Sequence, residues 1–398
     1  MDNTFIQRKP TAMVVGSMVI PKYSDRKTIY TPKDIQFDTL YEHGVNLTYM
    51  QAWRAKEKAL QFLRCHPADS YSKLPSYLYI LEKTYPGSVV KLKKTYDDCF
   101  LYVFVAICTS INGWQYCRPV VVVDGTFLKL AYRGIMLTAS TMYAAGTILP
   151  LAYAVVDSEN DASWKWLFEQ FKLVYGERAN MCVVSDRNES ILKATSIVYP
   201  GMPHFSCMWH IWTNIRANFK KGHLKLSELY FATTRSYTLD EFNEKMSKIE
   251  DIDPRVKAYL YDIGYHRWSR VYAMVNRTWT MTSNIAESLN VVRASTDYIH
   301  TVIDGVRRYI VYLENKKSSC GQFQLDELPC PHVLAALRQN DEFVEEYCSL
   351  YYTRANLLRT YEIPVNPLSD ERKWNVPQYI TEEVVNPPKG GKRQPGRP

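Results

Sequence analysis

The sequence predicts an α/β protein built on a mixed sheet flanked by helices. Val120, Val121, Val122 and Val123 form a run of four β-branched residues, the composition of a strand buried on both faces. Strand-like segments at 102–106, 119–123, 136–143 and 149–156 follow in close succession, which reads as an antiparallel meander. Strand and helix then alternate: a helix over 163–175, a strand over 181–185, a helix through 191–198, a short strand at 204–205 and a helix from Met208. That alternation is the signature of an α/β layout.

The flanking regions read differently. Residues 1–95 predict a small helical region. Pro32-Lys33-Asp34-Ile35 opens one helix, 49–63 carries apolar residues at three- and four-residue intervals, and a third runs from 72 to a stop at Pro86-Gly87. Arg54, Lys56 and Lys58 crowd the polar side of the second, which reads as a solvated face rather than a DNA-reading surface. Beyond Phe219 the chain is charged and helical up to about Trp268, the pattern of an inserted or appended block. Arg307-Arg308-Tyr309-Ile310 to Lys317 reads as a core helix, and everything after Pro364 as a disordered tail rich in Pro, Gly and basic residues.

Composition narrows the class. With 46% hydrophobic and 23% charged residues the chain can build a core and is not disordered throughout. A net charge of +8 leans toward a polyanionic partner. The nine cysteines are odd in number and follow no framework spacing, which favours reduced thiols in the cytosol or nucleus. No apolar run is long enough to span a bilayer, and Met1 to Pro10 carries no secretory h-region.

Three carboxylates stand at telling places. Asp124 and Asp186 each follow a buried strand, and Glu287 opens a later helix. Each has an ordinary alternative. Asp124-Gly125 is a hairpin-turn pair, while Asp186 with Glu189, and Asn284 with Glu287, fit capping boxes. Together, two strand-end aspartates and a helical glutamate are what a two-metal phosphoryl-transfer site requires, because Mg²⁺ takes hard oxygen ligands.

VVVDGTFLK, PLAYAVVDSENDASWKWLF, VVSDRNESI, PHFSCMWHIWTNI and MTSNIAESLN occur in that order, and the chain thereby resembles the transposase core of Mutator-like elements. The resemblance implies an RNase H-like mixed sheet with a DDE triad of Asp124, Asp186 and Glu287 holding Mg²⁺ or Mn²⁺. It implies a catalytic core over 96–315 with a helical insertion at about 212–280, preceded over 1–95 by the remnant of a DNA-binding domain, resembled only by Thr11 to Lys27, and by the helical unit. Cys207 and His210 match the family's C-x-x-H motif, a half-site for zinc or a packing element. Cys320, Cys330 and His332 resemble three ligands of a SWIM-like zinc finger over 316–340, followed by a C-terminal helix and tail over 341–398. Ser318 stands where the fourth ligand belongs, so zinc is held weakly, completed by another group such as Cys348, or lost; the alternative is two buried thiols and a surface histidine. The final Lys392-Arg393 to Pro398 resembles part of an AT-hook, though a solvated basic tail explains it as well.

The implied function is metal-dependent cleavage and strand transfer on double-stranded DNA in the nucleus, with no membrane role and a homo-oligomer left open. A domesticated DNA-binding transcriptional regulator without catalysis is the alternative from another class. An RNase H-like nuclease unrelated to transposition is a third, since a fold does not fix a substrate.

Overall fold

The computed structural model describes residues 12–24, 30–64, 67–128, 134–142, 148–275, 291–294, 298–304, 307–340 and 342–388. The chain divides into two compact units, one formed by residues up to 80 with 94–100 and 374 onward, the other by 81–93 and 101–373.

In the first unit the helices are α1 (Ala12–Ser24), α2 (Pro32–His43), α3 (Tyr49–Arg64) and α4 (Pro67–Ser72), with most of α5 (Leu74–Thr84). Thr31 caps α2 in a capping box with Asp34, Pro32 occupies the first turn, and Gly44 closes the helix at φ 67°, a left-handed conformation suited to glycine. Val15, Val19, Ile35, Ala52, Ala55 and Ala59 form the core. Here α1 and α3 cross closely: a Cβ on Gly16 would lie 2.9 Å from the Lys58 Cβ and 3.0 Å from the Ala55 carbonyl oxygen. Gly16→Val should therefore destabilise this unit by about 1–3 kcal/mol, the range for overpacking, and lower its urea midpoint; an unchanged midpoint would refute the close crossing.

The C-terminal stretch departs from the expectation of disorder. Residues 374–388 include a short helix at Gln378–Thr381, a buried Val385 and an isolated parallel bridge between Cys99 and Asn386. The Asn386 amide donates to the Asp98 carbonyl and its own carbonyl accepts from the Phe100 amide, both at 2.8 Å. The order comes from pairing with a distant segment, which local composition does not report. Residues 389–398, including the AT-hook-like end, lie outside the described residues.

The second unit is organised by a seven-stranded sheet of β1 (Val89–Lys94), β2 (Phe100–Ala106), β3 (Val120–Phe127), β4 (Ile135–Met142), β5 (Ile148–Val156), β6 (Cys182–Ser185) and β7 (His204–Ser206). The strand order is β1-β2-β5-β4-β3-β6-β7. Strands β3, β4 and β5 form the expected antiparallel meander, whereas β6 pairs parallel with β3 and β7 parallel with β6. Parallel pairing needs crossovers. They are supplied by α7 (Asp161–Tyr175), which follows α6 (Cys108–Trp114), and by α8 (Glu189–Val198). Asn160 caps α7 in a capping box with Ser163. Its buried face, Trp164, Leu167, Phe168 and Phe171, packs with Val121, Val123, Leu137 and Ala154 of the sheet. The sequence expectations for β2 to β7, α7 and α8 agree with the structure to within a few residues, whereas β1 and α6 were not among them.

After α9 (Met208–Asn218) come α10 (His223–Thr234), α11 (Leu239–Ile252), α12 (Pro254–Ile263) and α13 (Tyr265–Trp268). This helical block has its own core of Trp212, Tyr230, Phe242, Leu260 and Trp268, and the Trp268 indole N–H donates to the Leu260 carbonyl at 3.1 Å. A four-stranded antiparallel sheet follows, β8 (Val291–Ala294), β9 (Ile299–Asp304), β10 (Arg307–Tyr312) and β11 (Lys317–Ser318), with α14 (Gln322–Asp326) and α15 (Pro331–Asn340). Thus the helix expected from Arg307 is the strand β10. Tyr309 to Tyr312 are aromatic and β-branched, and Val311 is fully buried beside Val302 of β9, an environment that favours strand over helix.

Candidate metal sites

Asp124 lies within β3, opposite Thr138 of β4, so Asp124-Gly125 is not a hairpin turn. The parallel register runs Val120 to Cys182, Val121 to Val183 and Val122 to Val184. The pairing ends there; Asp124 lies two residues further along β3, and Asp186 two residues beyond Val184, just past the end of β6. Neighbouring strands lie roughly 4.8 Å apart. Asp124 is exposed in the middle of β3, and Asp186 is half-buried just after β6.

Asp186 is also not a helix cap. Asn188 caps α8, its side chain accepting from the Ser190 amide at 2.9 Å, while Asp186 Oδ1 accepts from the Asn188 amide at 3.1 Å. Beside it, the Ser185 hydroxyl lies 2.7 Å from His204 Nε2. Burial, followed by the charge of Arg267, pushes His204 from its ordinary 6.5 down to about 4. Between those values the unfolded chain binds a proton that the folded chain refuses. The stability contribution is therefore complete above pH 6.5 and lost as the pH falls toward 4, by at most about 3 kcal/mol. Urea midpoints at pH 7.5 and 5 measure it: His204→Gln should shrink the difference, and an equal difference in both proteins would reject the assignment.

Glu159 is a carboxylate that sequence reasoning did not single out. It accepts from the Asn188 side-chain amide at 2.8 Å and from the Trp164 indole at 3.2 Å. It also lies against Gly125, where a Cβ would come within 3.3 Å of its carboxyl carbon. The glycine after Asp124 thus leaves room for an acid from the β5–α7 connection. The available signal was the position of Glu159 inside DSENDASW, one residue before the α7 cap. Glu287 lies outside the described residues.

Cys207 precedes α9, and its amide donates to the Ser185 carbonyl at 2.7 Å. Cys207 packs among Val122, Val184 and Phe205. His210 Nδ1 is buried with no hydrogen-bond partner among the described residues.

The second cluster is tighter. Among the described residues, Cys320, Cys330 and His332 are the one group of three or more such side chains whose ligand atoms all lie within 4.8 Å of one another. Cys320 Sγ is 3.6 Å from Cys330 Sγ, and Cys330 Sγ is 3.8 Å from His332 Nδ1. Tetrahedral zinc, with Zn–S near 2.3 Å and Zn–N near 2.0–2.1 Å, would set those edges at about 3.6–3.8 Å. The donor set therefore fits zinc. Cys330 and His332 are buried, and the His332 ring stacks on Tyr309 at 3.8 Å, so the histidine is not on the surface. The contact between the two thiols eases loss of the first proton, from Cys320, and hinders loss of the second, from Cys330. Cys348 lies outside the cluster, its thiol donating to the Val344 carbonyl.

A mixed sheet with an aspartate on β3 and another just past its parallel neighbour β6, plus a separate thiol–imidazole cluster that could hold a metal, defines an α/β protein. Residues 120–214, from the start of β3 into α9, match the family model of the MULE transposase domain. Two Arabidopsis thaliana proteins are similar to it. Protein FAR1-RELATED SEQUENCE 5 is 22% identical over 315 residues, 74% of this chain and 38% of that protein. Protein FAR-RED IMPAIRED RESPONSE 1 is 23% identical over 269 residues, 64% of this chain and 32% of that protein. The chain thus spans about a third of the length of these relatives. Among solved structures, a chain of the cryoEM structure of simian T-cell lymphotropic virus intasome in complex with PP2A regulatory subunit B56 gamma aligns over 71% of this chain and 96% of that one. Its identity is 8% and its TM-score 0.18, too low to bear on the fold. No helix among the described residues is long and apolar enough to cross a membrane.

Proposed function

We propose that the chain is a transposase-derived, nuclear protein that binds double-stranded DNA and carries an RNase H-like core for metal-dependent phosphodiester cleavage. The observation that carries this reading is the parallel pairing of β3 with β6, with Asp124 two residues past the last pair on β3 and Asp186 just beyond β6, inside the matched MULE segment. Ligand sites in open α/β sheets form beyond the carboxyl ends of parallel strands. Strand order β5-β4-β3-β6-β7, a three-stranded meander extended by two parallel strands, supports the RNase H-like assignment.

Asp124 and Asp186, with Glu287, would hold Mg²⁺ or Mn²⁺, and Glu159 would add an acid at the same strand ends. Two such ions activate the attacking oxygen and steady the leaving one. Arg187, exposed beside Asp186 and hydrogen-bonded to the Tyr259 hydroxyl of α12, supplies positive charge for a phosphate at that edge. Cys320, Cys330 and His332 would hold zinc in a structural role, which suits a small module.

One observation favours a regulator without catalysis: both curated relatives are named for a far-red response or for likeness to such a protein, not for transposition. Supercoiled plasmid offered to the purified chain with Mg²⁺ or Mn²⁺ separates the two. Metal-dependent nicking supports the enzyme. Binding that weakens steeply with salt, without nicking, supports the regulator, and absence of binding rejects both.

A further inference from the structure

The zinc reading leaves a fourth position, and the structure shows what stands there. Ser318 lies on β11 opposite Val311, 2% exposed. Its backbone is clamped from both sides by one side chain: Gln324 Oε1 accepts from the Ser318 amide at 3.0 Å, and Gln324 Nε2 donates to the Ser318 carbonyl at 3.0 Å. The Ser318 hydroxyl accepts from the Cys320 amide at 3.5 Å, which holds it beside that ligand. Two thiols and an imidazole therefore gather beside a buried serine, carried by β11, α15 and the turns beside them. Cys348, the other candidate, is engaged with Val344 and does not reach the group.

We propose that Ser318 Oγ is the fourth donor of a zinc site otherwise made by Cys320, Cys330 and His332, and that this neutral donor makes zinc occupancy reversible. The inference rests on the reading of the cluster as a metal site. A hydroxyl keeps its proton at neutral pH and offers zinc a weaker bond than a thiolate, which is the ligand form of cysteine. Binding free energy in such sites is folding free energy, so a weaker fourth donor lowers affinity without dismantling the geometry the other three provide. Occupancy then follows the free zinc concentration instead of being permanent.

The test is titration of the full chain with Zn²⁺ against a competing chelator, and with Co²⁺ read by its visible absorption. Wild type should bind one ion with a tetrahedral cobalt spectrum and two-thiolate charge-transfer intensity. Ser318→Cys should bind on the order of 10²-fold more tightly with three-thiolate intensity, Ser318→Ala about 10-fold more weakly, on the scale of outer-shell losses in metal sites, and Cys348→Ser should match wild type. Equal affinity of Ser318→Ala and wild type, or weakened binding by Cys348→Ser, would overturn the assignment of the fourth donor. If wild type fails to bind while Ser318→Cys binds, the serine is not a working donor. If neither binds, with both folded by circular dichroism, the metal reading itself falls.

Discussion

Asp124→Asn and Asp186→Asn are each expected to abolish metal-dependent nicking of supercoiled DNA, by on the order of 10²–10³-fold, the scale for removing one preorganised electrostatic group from a reacting centre. Asparagine keeps the size and one acceptor oxygen but removes the charge that a divalent cation needs. Neither residue is expected to carry fold stability. Asp124 is exposed on β3, and Asp186 serves a local turn through the Asn188 amide, while the α8 cap is made by Asn188. Thermal midpoints close to wild type with nicking lost would therefore assign both acids to the metal. Two active variants would remove them from the chemistry and leave the regulator reading. Glu159→Gln is the informative companion. It retains acceptance from Asn188 and Trp164 through its remaining carbonyl oxygen, so a loss of nicking there reports the charge of the acid against Gly125.

The contrast between Asp124 and Glu159 shows which parts of this protein its sequence discloses. Strand β3 was legible because four consecutive valines admit little but a buried strand, and α7 because Asn160, Ser163 and an apolar stripe lie within one helix length. That the strands before Asp124 and Asp186 are parallel neighbours needed a register, which only pairing supplies. Glu159 needed more: it meets Gly125 through a connection folded back over the sheet, and nothing within ten residues of either predicts the other. The same holds for β10, whose charged Arg307-Arg308 start conceals a strand buried at Val311, and for the 374–388 stretch, ordered by a bridge to Cys99. Ser318 sat at a recognisable motif position, yet its clamp by Gln324 appears only in three dimensions.

Stripping zinc is expected to loosen the module of β9, β10, β11 and α15 while the seven-stranded sheet stays folded. The module's buried core is small: Val302, Val311, Leu313, Phe323, Cys330, Val333, Ala336 and Leu337. Cores of that size seldom hold without a staple, and one of the eight is itself a ligand candidate. Zinc at a hundredfold excess over its Kd stabilises the state that binds it by about 2.7 kcal/mol. Backbone amides over 307–340 should therefore exchange on the order of 100-fold faster once a chelator has removed the metal. Those of β3 and α7, packed around Trp164 and Phe171 in a separate core, should be unaffected. Cys330→Ala should exchange fast with or without zinc, and readdition of zinc should restore protection to wild type alone. Protection over 307–340 that ignores both chelator and substitution would mean that the two thiols and the imidazole pack as buried side chains and nothing more.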